Sequence, residues 1–120
     1  MDKYKYLVAV ASSDEIVVNT HFGKADTFLI YGILEDNSFE YIERRALKPV
    51  CEGGDHDEGR LIENAQSLKD CAYVLVSRIG PRAVNILEAN GITAMEIPDI
   101  IDNALNKIIS YNQIRKKFFC

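Results

Sequence analysis

The apolar residues of this chain follow two different rhythms. As far as residue 47 they come in strand-like runs. Residues 4–11 (YKYLVAVA) are continuously apolar toward their C-terminal end, which predicts a central strand. Residues 12–26 are polar around the short piece Ile16-Val17-Val18 and predict a loop with at most a short edge strand. Residues 27–34 (TFLIYGIL) predict a second strand, Asp36-Asn37-Ser38 a turn, and residues 39–47 (FEYIERRAL) a third strand with imperfect alternation. Two strands joined by so short a turn should form an antiparallel hairpin.

The period then changes. Residues 48–57 (KPVCEGGDHD) predict a polar, glycine-rich loop. Asp55 and Glu58 stand at capping-box spacing, with Asp55 as N-cap, and Leu61, Ile62, Ala65 and Leu68 follow as one apolar helical face. Residues 72–77 (AYVLVS) predict a buried strand. Gly80-Pro81 opens a helix with proline at its first position; Ala83, Val84 and Leu87 form its inner face, and Asn90-Gly91 ends it. Residues 92–97 (ITAMEI) predict another strand. Asp99 caps a last helix that turns Ile101, Ala104, Leu105, Ile108 and Ile109 inward. A buried strand between helices implies parallel pairing, whereas the hairpin implies antiparallel pairing. The expected fold is α/β: a single domain over residues 1–120, with one mixed sheet and helices packed on it.

Composition narrows the class. At 120 residues, 48% apolar and 27% charged, the chain reads as one globular domain. A chain of this length buries roughly two-thirds of its extended surface, so its core needs no disulfides. The cysteines Cys51, Cys71 and Cys120 are odd in number and widely spaced, with no C-x-x-C pair. That argues against a disulfide framework, a zinc ribbon or a thioredoxin-type site, and for a reducing cytoplasm. Cys71 reads as a buried small residue and Cys120 as a terminal thiol. A net charge of −4 disfavours nucleic acid, and Arg115-Lys116-Lys117 reads as a solvated basic run. The first apolar run, residues 7–11, is too short for a signal peptide core or a membrane span.

Polar residues with distinctive chemistry gather in three loops: Asn19-Thr20-His21-Phe22-Gly23, Cys51-Glu52-Gly53-Gly54-Asp55-His56-Asp57, and Ser77-Arg78-Ile79-Gly80-Pro81. Ligands of α/β sheets bind beyond the carboxyl ends of strands, where the third loop lies. Both histidines sit in the first two loops, off any apolar face. His21 is either a surface imidazole bonded to backbone or a ligand. Cys51 and His56 bracket two glycines. Thiolate with imidazole suits zinc or iron, although the same stretch also reads as an acidic loop ending in a helix cap. Two helices begin near His56 and Pro81, and their unpaired N–H groups favour anions. Arg78 would reinforce such a site, which suits an anionic cluster better than a bare cation.

The segment Val18-Asn19-Thr20-His21-Phe22-Gly23-Lys24-Ala25, followed by Phe28-Leu29-Ile30-Tyr31, resembles the signature of the dinitrogenase iron–molybdenum cofactor biosynthesis family. That family includes NifX and NafY accessory proteins and the C-terminal domain of NifB. Gly54-Asp55-His56-Asp57, Ser77-Arg78-Ile79-Gly80-Pro81 and Leu87-Glu88-Ala89-Asn90-Gly91-Ile92 extend the resemblance over residues 4–109. The resemblance implies a ribonuclease H-like fold with a five-stranded mixed sheet. It also implies a non-catalytic carrier of an iron–sulfur cluster or nitrogenase cofactor precursor, passed between donor and acceptor proteins of cofactor assembly. His21 takes the place of the family's cluster ligand. Asn19, Phe22, Gly23, Arg78 and Gly80 are the surrounding cofactor contacts, and Cys51 and His56 are further metal ligands. No radical-SAM C-x-x-x-C-x-x-C motif is present.

Three other readings compete. A two-metal nuclease needs a carboxylate on the first strand, whose centre here is Leu7-Val8-Ala9-Val10. A protein-interaction or homodimerisation module would need no cofactor. A small zinc site would use Cys51 and His56.

Overall fold

In a computed structural model, residues 3–52 and 55–119 are described; for Glu52, Asp55, His56, Phe118 and Phe119 this extends to the backbone only. Gly53, Gly54 and Cys120, singled out above, lie outside the described residues. The described chain runs β1 (Tyr6–Ala11), β2 (Thr27–Ile33), β3 (Phe39–Ala46), β4 (Cys51–Glu52), β5 (Asp55–His56), α1 (Glu58–Ser67), β6 (Tyr73–Val76), α2 (Pro81–Ala89), β7 (Thr93–Glu96) and α3 (Ile101–Phe119). Among the described residues, five strands form one sheet in the order β3-β2-β1-β6-β7, and β4 and β5 form a separate small hairpin.

Pairing follows the two rhythms of the sequence. β1 is antiparallel to β2, and β2 to β3. β1 and β7 both run parallel to β6. The β2–β3 turn is made by Asn37 at φ 69 and by Asp36, whose carboxylate accepts the Ser38 N–H at 3.0 Å. β3 has imperfect alternation because it carries a bulge: Tyr31 pairs with Tyr41 and Ile30 with Glu43, leaving Ile42 as the extra residue.

Alternate residues of the central strands feed two cores. Ala9, Ala11, Val74 and Val76 face α1 and α2 with Phe22, Phe28, Leu61 and Leu87. Val8, Val10, Tyr73 and Leu75 face α3 with Ile101, Leu105 and Ile108. Ile16 and Val17 lie along the start of α3: Val17 bridges Ile100, and the Ile101 N–H donates to the Ile16 carbonyl at 2.9 Å. Among the described residues no helix is long and apolar enough to cross a membrane.

Three local expectations are corrected. Asp57, not Asp55, caps α1, its carboxylate accepting the Arg60 N–H at 3.1 Å. Asp55 pairs with Glu52 in the β4–β5 hairpin, so the helix starts later and Glu58 becomes its first residue. Ile62 is 43% exposed, whereas Asn64 is buried at 6%. The inward stripe is 61, 64, 65 and 68, and the Asn64 amide is satisfied by the Lys48 carbonyl at 2.7 Å. Asp99 acts from one residue further out than a cap, because α3 begins at Ile101. Its carboxylate accepts the Ile100 N–H at 2.7 Å and pairs with Lys107 at 2.9 Å.

Candidate functional site

The carboxyl ends of β1 and β6 lie side by side, and the chain leaving each is stitched to the other. The Ser77 N–H donates to the Thr20 carbonyl at 3.0 Å, and the Phe22 N–H donates to the Arg78 carbonyl at 2.9 Å. His21 and Arg78 are thereby bridge partners in a parallel sense. Phe22–Lys24 then makes one 3-10 turn, closed by the Lys24 N–H on the His21 carbonyl at 3.0 Å. Phe22 anchors this turn from below. Its ring is buried and lies 5.9 Å from that of Phe28. The side chain of His21 is left at the surface.

Over this turn stands the β4–β5 hairpin, in which Cys51 and His56 are directly paired residues. Cys51 rests on Gly23 so closely that a β-carbon at position 23 would lie 2.7 Å from the Cys51 Sγ. Any larger residue here would have to displace the sulfur atom or the turn. The hairpin is held from α1, where the Arg60 guanidinium donates to the Pro49 carbonyl at 3.3 Å and Asn64 to that of Lys48.

Between turn, hairpin and the start of α2 lies a cleft of about 400 Å³. Its floor is the top of one core: Phe22, Val50, Leu61 and Ala83. Its rim carries His21, Lys24, Cys51, Arg78, Gly80 and Arg82. Gly80 is the N-cap of α2 and offers no side-chain cap, with Pro81 next in line. The third loop is fixed from the far side, as the Ile79 N–H donates to the Glu96 carboxylate at 2.9 Å.

The rim charges differ in their state. Arg82 is paired with Glu58, whose carboxylate accepts its Nε at 2.8 Å and raises the guanidinium pKa further. Among the described residues no side chain bonds or pairs with those of His21, Lys24 or Arg78. Nor do three His, Cys, Asp or Glu side chains converge as a metal-holding group among the described residues. Of the expected ligands, His21 and Cys51 meet at the cleft. His56 is placed by its backbone beside Cys51.

Phe22, Gly23, Arg78 and Gly80 also line the cleft, whereas Asn19 does not. Its side chain accepts the Ser13 N–H at 3.0 Å and donates to the Ser13 hydroxyl at 3.0 Å, which shapes the loop leading to His21. Sequence reasoning missed Lys24 and Arg82 as rim cations. The signal was available for both: Lys24 closes the His-Phe-Gly turn, and Arg82 follows Pro81 in the first turn of α2. Cys71 is 2% exposed in the core, as expected, and takes no part.

Comparisons with known proteins place this architecture. The family model described as dinitrogenase iron-molybdenum cofactor matches residues 4–111. The chain is 39% identical over 105 residues to the FeMo cofactor biosynthesis protein NifB of Frankia alni, covering 85% of the chain and 20% of that protein. It is 33% identical over 96 residues to the protein NifX of Azotobacter vinelandii, covering 77% of the chain and 56% of NifX. The chain thus spans about a quarter or less of the NifB proteins it matches, here 20% and for that of Chlorobaculum tepidum 26%. The apo form of the orange protein from Desulfovibrio gigas superposes with a TM-score of 0.62 over 91% of each chain at 20% identity, which is a likeness of fold. With its whole sheet and cleft inside the matched region, this chain belongs to the dinitrogenase iron–molybdenum cofactor family.

Proposed function

We propose that this chain is a non-catalytic carrier of an iron–sulfur cluster or of a precursor of the nitrogenase iron–molybdenum cofactor. His21 is the cluster ligand and Cys51 a second contact from across the cleft. The observation that carries this reading is that an imidazole and a thiol, from separate loops, line one cleft with an apolar floor, in a chain of this family. Imidazole and thiolate are both soft enough to ligate iron in sulfide clusters. A cleft open on one side suits a cargo received from a donor protein and surrendered to an acceptor. The strand order β3-β2-β1-β6-β7 supports the ribonuclease H-like assignment as part of the same reading.

The test is anaerobic titration with a preformed, thiolate-ligated [4Fe–4S] complex, followed by visible absorbance and gel filtration. Stoichiometric co-elution is expected, weakened at least tenfold in His21→Ala. The thermal midpoint of that variant should stay close to wild type, since an exposed loop side chain contributes within about 0.5 kcal/mol. A wild-type protein that never co-elutes with the cluster would sink the carrier reading. The outward-facing Tyr41 and Ile42 of β3 would then make a protein-interaction module the better account.

A further inference from the structure

We infer that a second cleft, at the opposite end of the sheet from His21, binds a small zwitterion: a free α-amino acid with an apolar side chain. Tyr6, Tyr73 and Thr93 are the first residues of β1, β6 and β7, three strands that run parallel to one another. Their amino ends line a cleft of about 420 Å³ together with Glu88, Asn112 and Arg115. Sites for small molecules enclose roughly 300–1,000 Å³, so the space is sufficient. Among the described residues none lines both clefts, which makes this site independent of the carrier reading.

Its two sides carry opposite charge. Glu88 stands in the last turn of α2, where the carbonyl end of the helix adds partial negative charge. Arg115 stands on α3, with its guanidinium beside the Tyr73 hydroxyl, where it opposes the rise that burial imposes on that phenol's pKa. The same hydroxyl donates to the Asn112 side chain at 2.7 Å, which ties this part of α3 to the sheet. The match to the family model ends at residue 111, so Asn112 and Arg115 stand beyond it.

Among the described residues no ion pair joins Glu88 to Arg115 across the cleft. A dicarboxylate would bring like charge against Glu88, and a diamine would do so against Arg115. A molecule with one ammonium and one carboxylate satisfies both sides at once. Between them lie the rings of Tyr6 and Tyr73, edge to face with centroids 5.5 Å apart, and Ala72 beside them. These give an apolar bed on which a hydrocarbon or aromatic side chain can rest.

The experiment titrates the full chain with phenylalanine, with 3-phenylpropanoate, which lacks the ammonium, and with 2-phenylethylamine, which lacks the carboxylate. Calorimetry reads affinity, and amide NMR shifts place the ligand. Phenylalanine should bind about tenfold more tightly than either analogue, because each loses one charge-assisted contact. Shifts should appear at Gly91 and Thr93 and be absent at Gly23 and Gly80. Arg115→Met should weaken phenylalanine about tenfold and bind 2-phenylethylamine no more weakly than wild type. Glu88→Gln should weaken phenylalanine by a similar factor and bind 3-phenylpropanoate no more weakly. Both side chains are exposed, so the variants should keep wild-type stability. Lys117→Met changes net charge as Arg115→Met does, on the same helix but outside the cleft, and should alter affinity less than twofold.

A wild-type chain that does not bind phenylalanine, or that binds the three probes equally, would overturn the zwitterion site. Shifts confined to the His21 cleft, or Arg115 and Glu88 variants as tight as wild type, would overturn it as well.

Discussion

The turn that carries His21 and the hairpin that carries Cys51 face each other across one cleft, but they are held by different means. The turn is fastened by main-chain hydrogen bonds to the strand end beside it, through Thr20, Phe22 and Arg78, and by one buried ring beneath it. The hairpin has strands of only two residues each, and it hangs from side chains of α1 and from the contact of a thiol with Gly23. One wall is part of the sheet; the other is mounted on it. Main-chain fastening tolerates substitution of exposed side chains. A wall mounted on side chains can be displaced without unfolding the domain.

The comparison breaks most forcefully at Phe22. Phe22→Ala empties the space beneath the turn, and removal of a buried phenylalanine costs about 3–5 kcal/mol. Chemical denaturation should show that loss, and cluster binding should fall with it. A Phe22→Ala protein of wild-type stability would mean that the turn is not built on its ring.

Alkaline pH probes the scaffold next. Burial, with the Asp70 carboxylate beside it, pushes the Cys71 thiol up to about 12 from its ordinary 9.0. The folded state therefore keeps a proton that the unfolded chain releases. Its contribution is complete below pH 9 and is lost as pH rises toward 12. The slope should approach about 1.4 kcal/mol per pH unit, a few kcal/mol in all. Cys71→Ala should remove the part of this fall that begins near pH 9, leaving the part due to phenols that burial also raises, Tyr6 to about 12 and Tyr31 and Tyr73 in the same direction. Denaturation curves at pH 8 to 11 that keep their full slope in Cys71→Ala would show that the thiol is not their source.

The smallest effect should fall on the mounted wall. Gly23→Ala sets a methyl against the Cys51 sulfur and should cost about 1–3 kcal/mol, as overpacking does. Cys51→Ala should relieve it, so a double-mutant cycle over the two positions should show coupling of about 1 kcal/mol or more. Strict additivity would mean that the hairpin simply moves aside.

The sequence made the scaffold legible where pattern and fold agree. Continuous apolar strands, Pro81 at a helix start and Gly91 at its end, with φ 78, all read correctly because local chemistry dictates them. The errors lie where a distant partner decides. Asp55 has the spacing of a cap, but pairing with Glu52 claims it, and Asp57 caps instead. Ile62 has the hydropathy of a core residue, yet the stripe prefers Asn64 because the Lys48 carbonyl waits there. For the site, the sequence marked His21, Cys51 and Arg78 by residue type. That His21 and Arg78 become neighbours follows only from the parallel pairing of β1 with β6, which no local signal specifies. Lys24 was overlooked because a lysine after a turn motif is ordinary until the fold sets it on the rim of a cleft.

The bulge at Ile42 bears on what happens when many copies of this molecule share a crowded solution. β3 ends the sheet on one side, and an unpaired border strand is a template on which another chain can add itself. A straight β3 would present such a template along its whole length. The extra residue twists the strand out of register at its middle, and Glu43, Arg44 and Arg45 follow at once. Two such borders brought together would misalign after a few residues and then bring charge against backbone. The irregularity thus guards against runaway self-assembly, and straightening it by deleting Ile42 should show as turbidity on concentration.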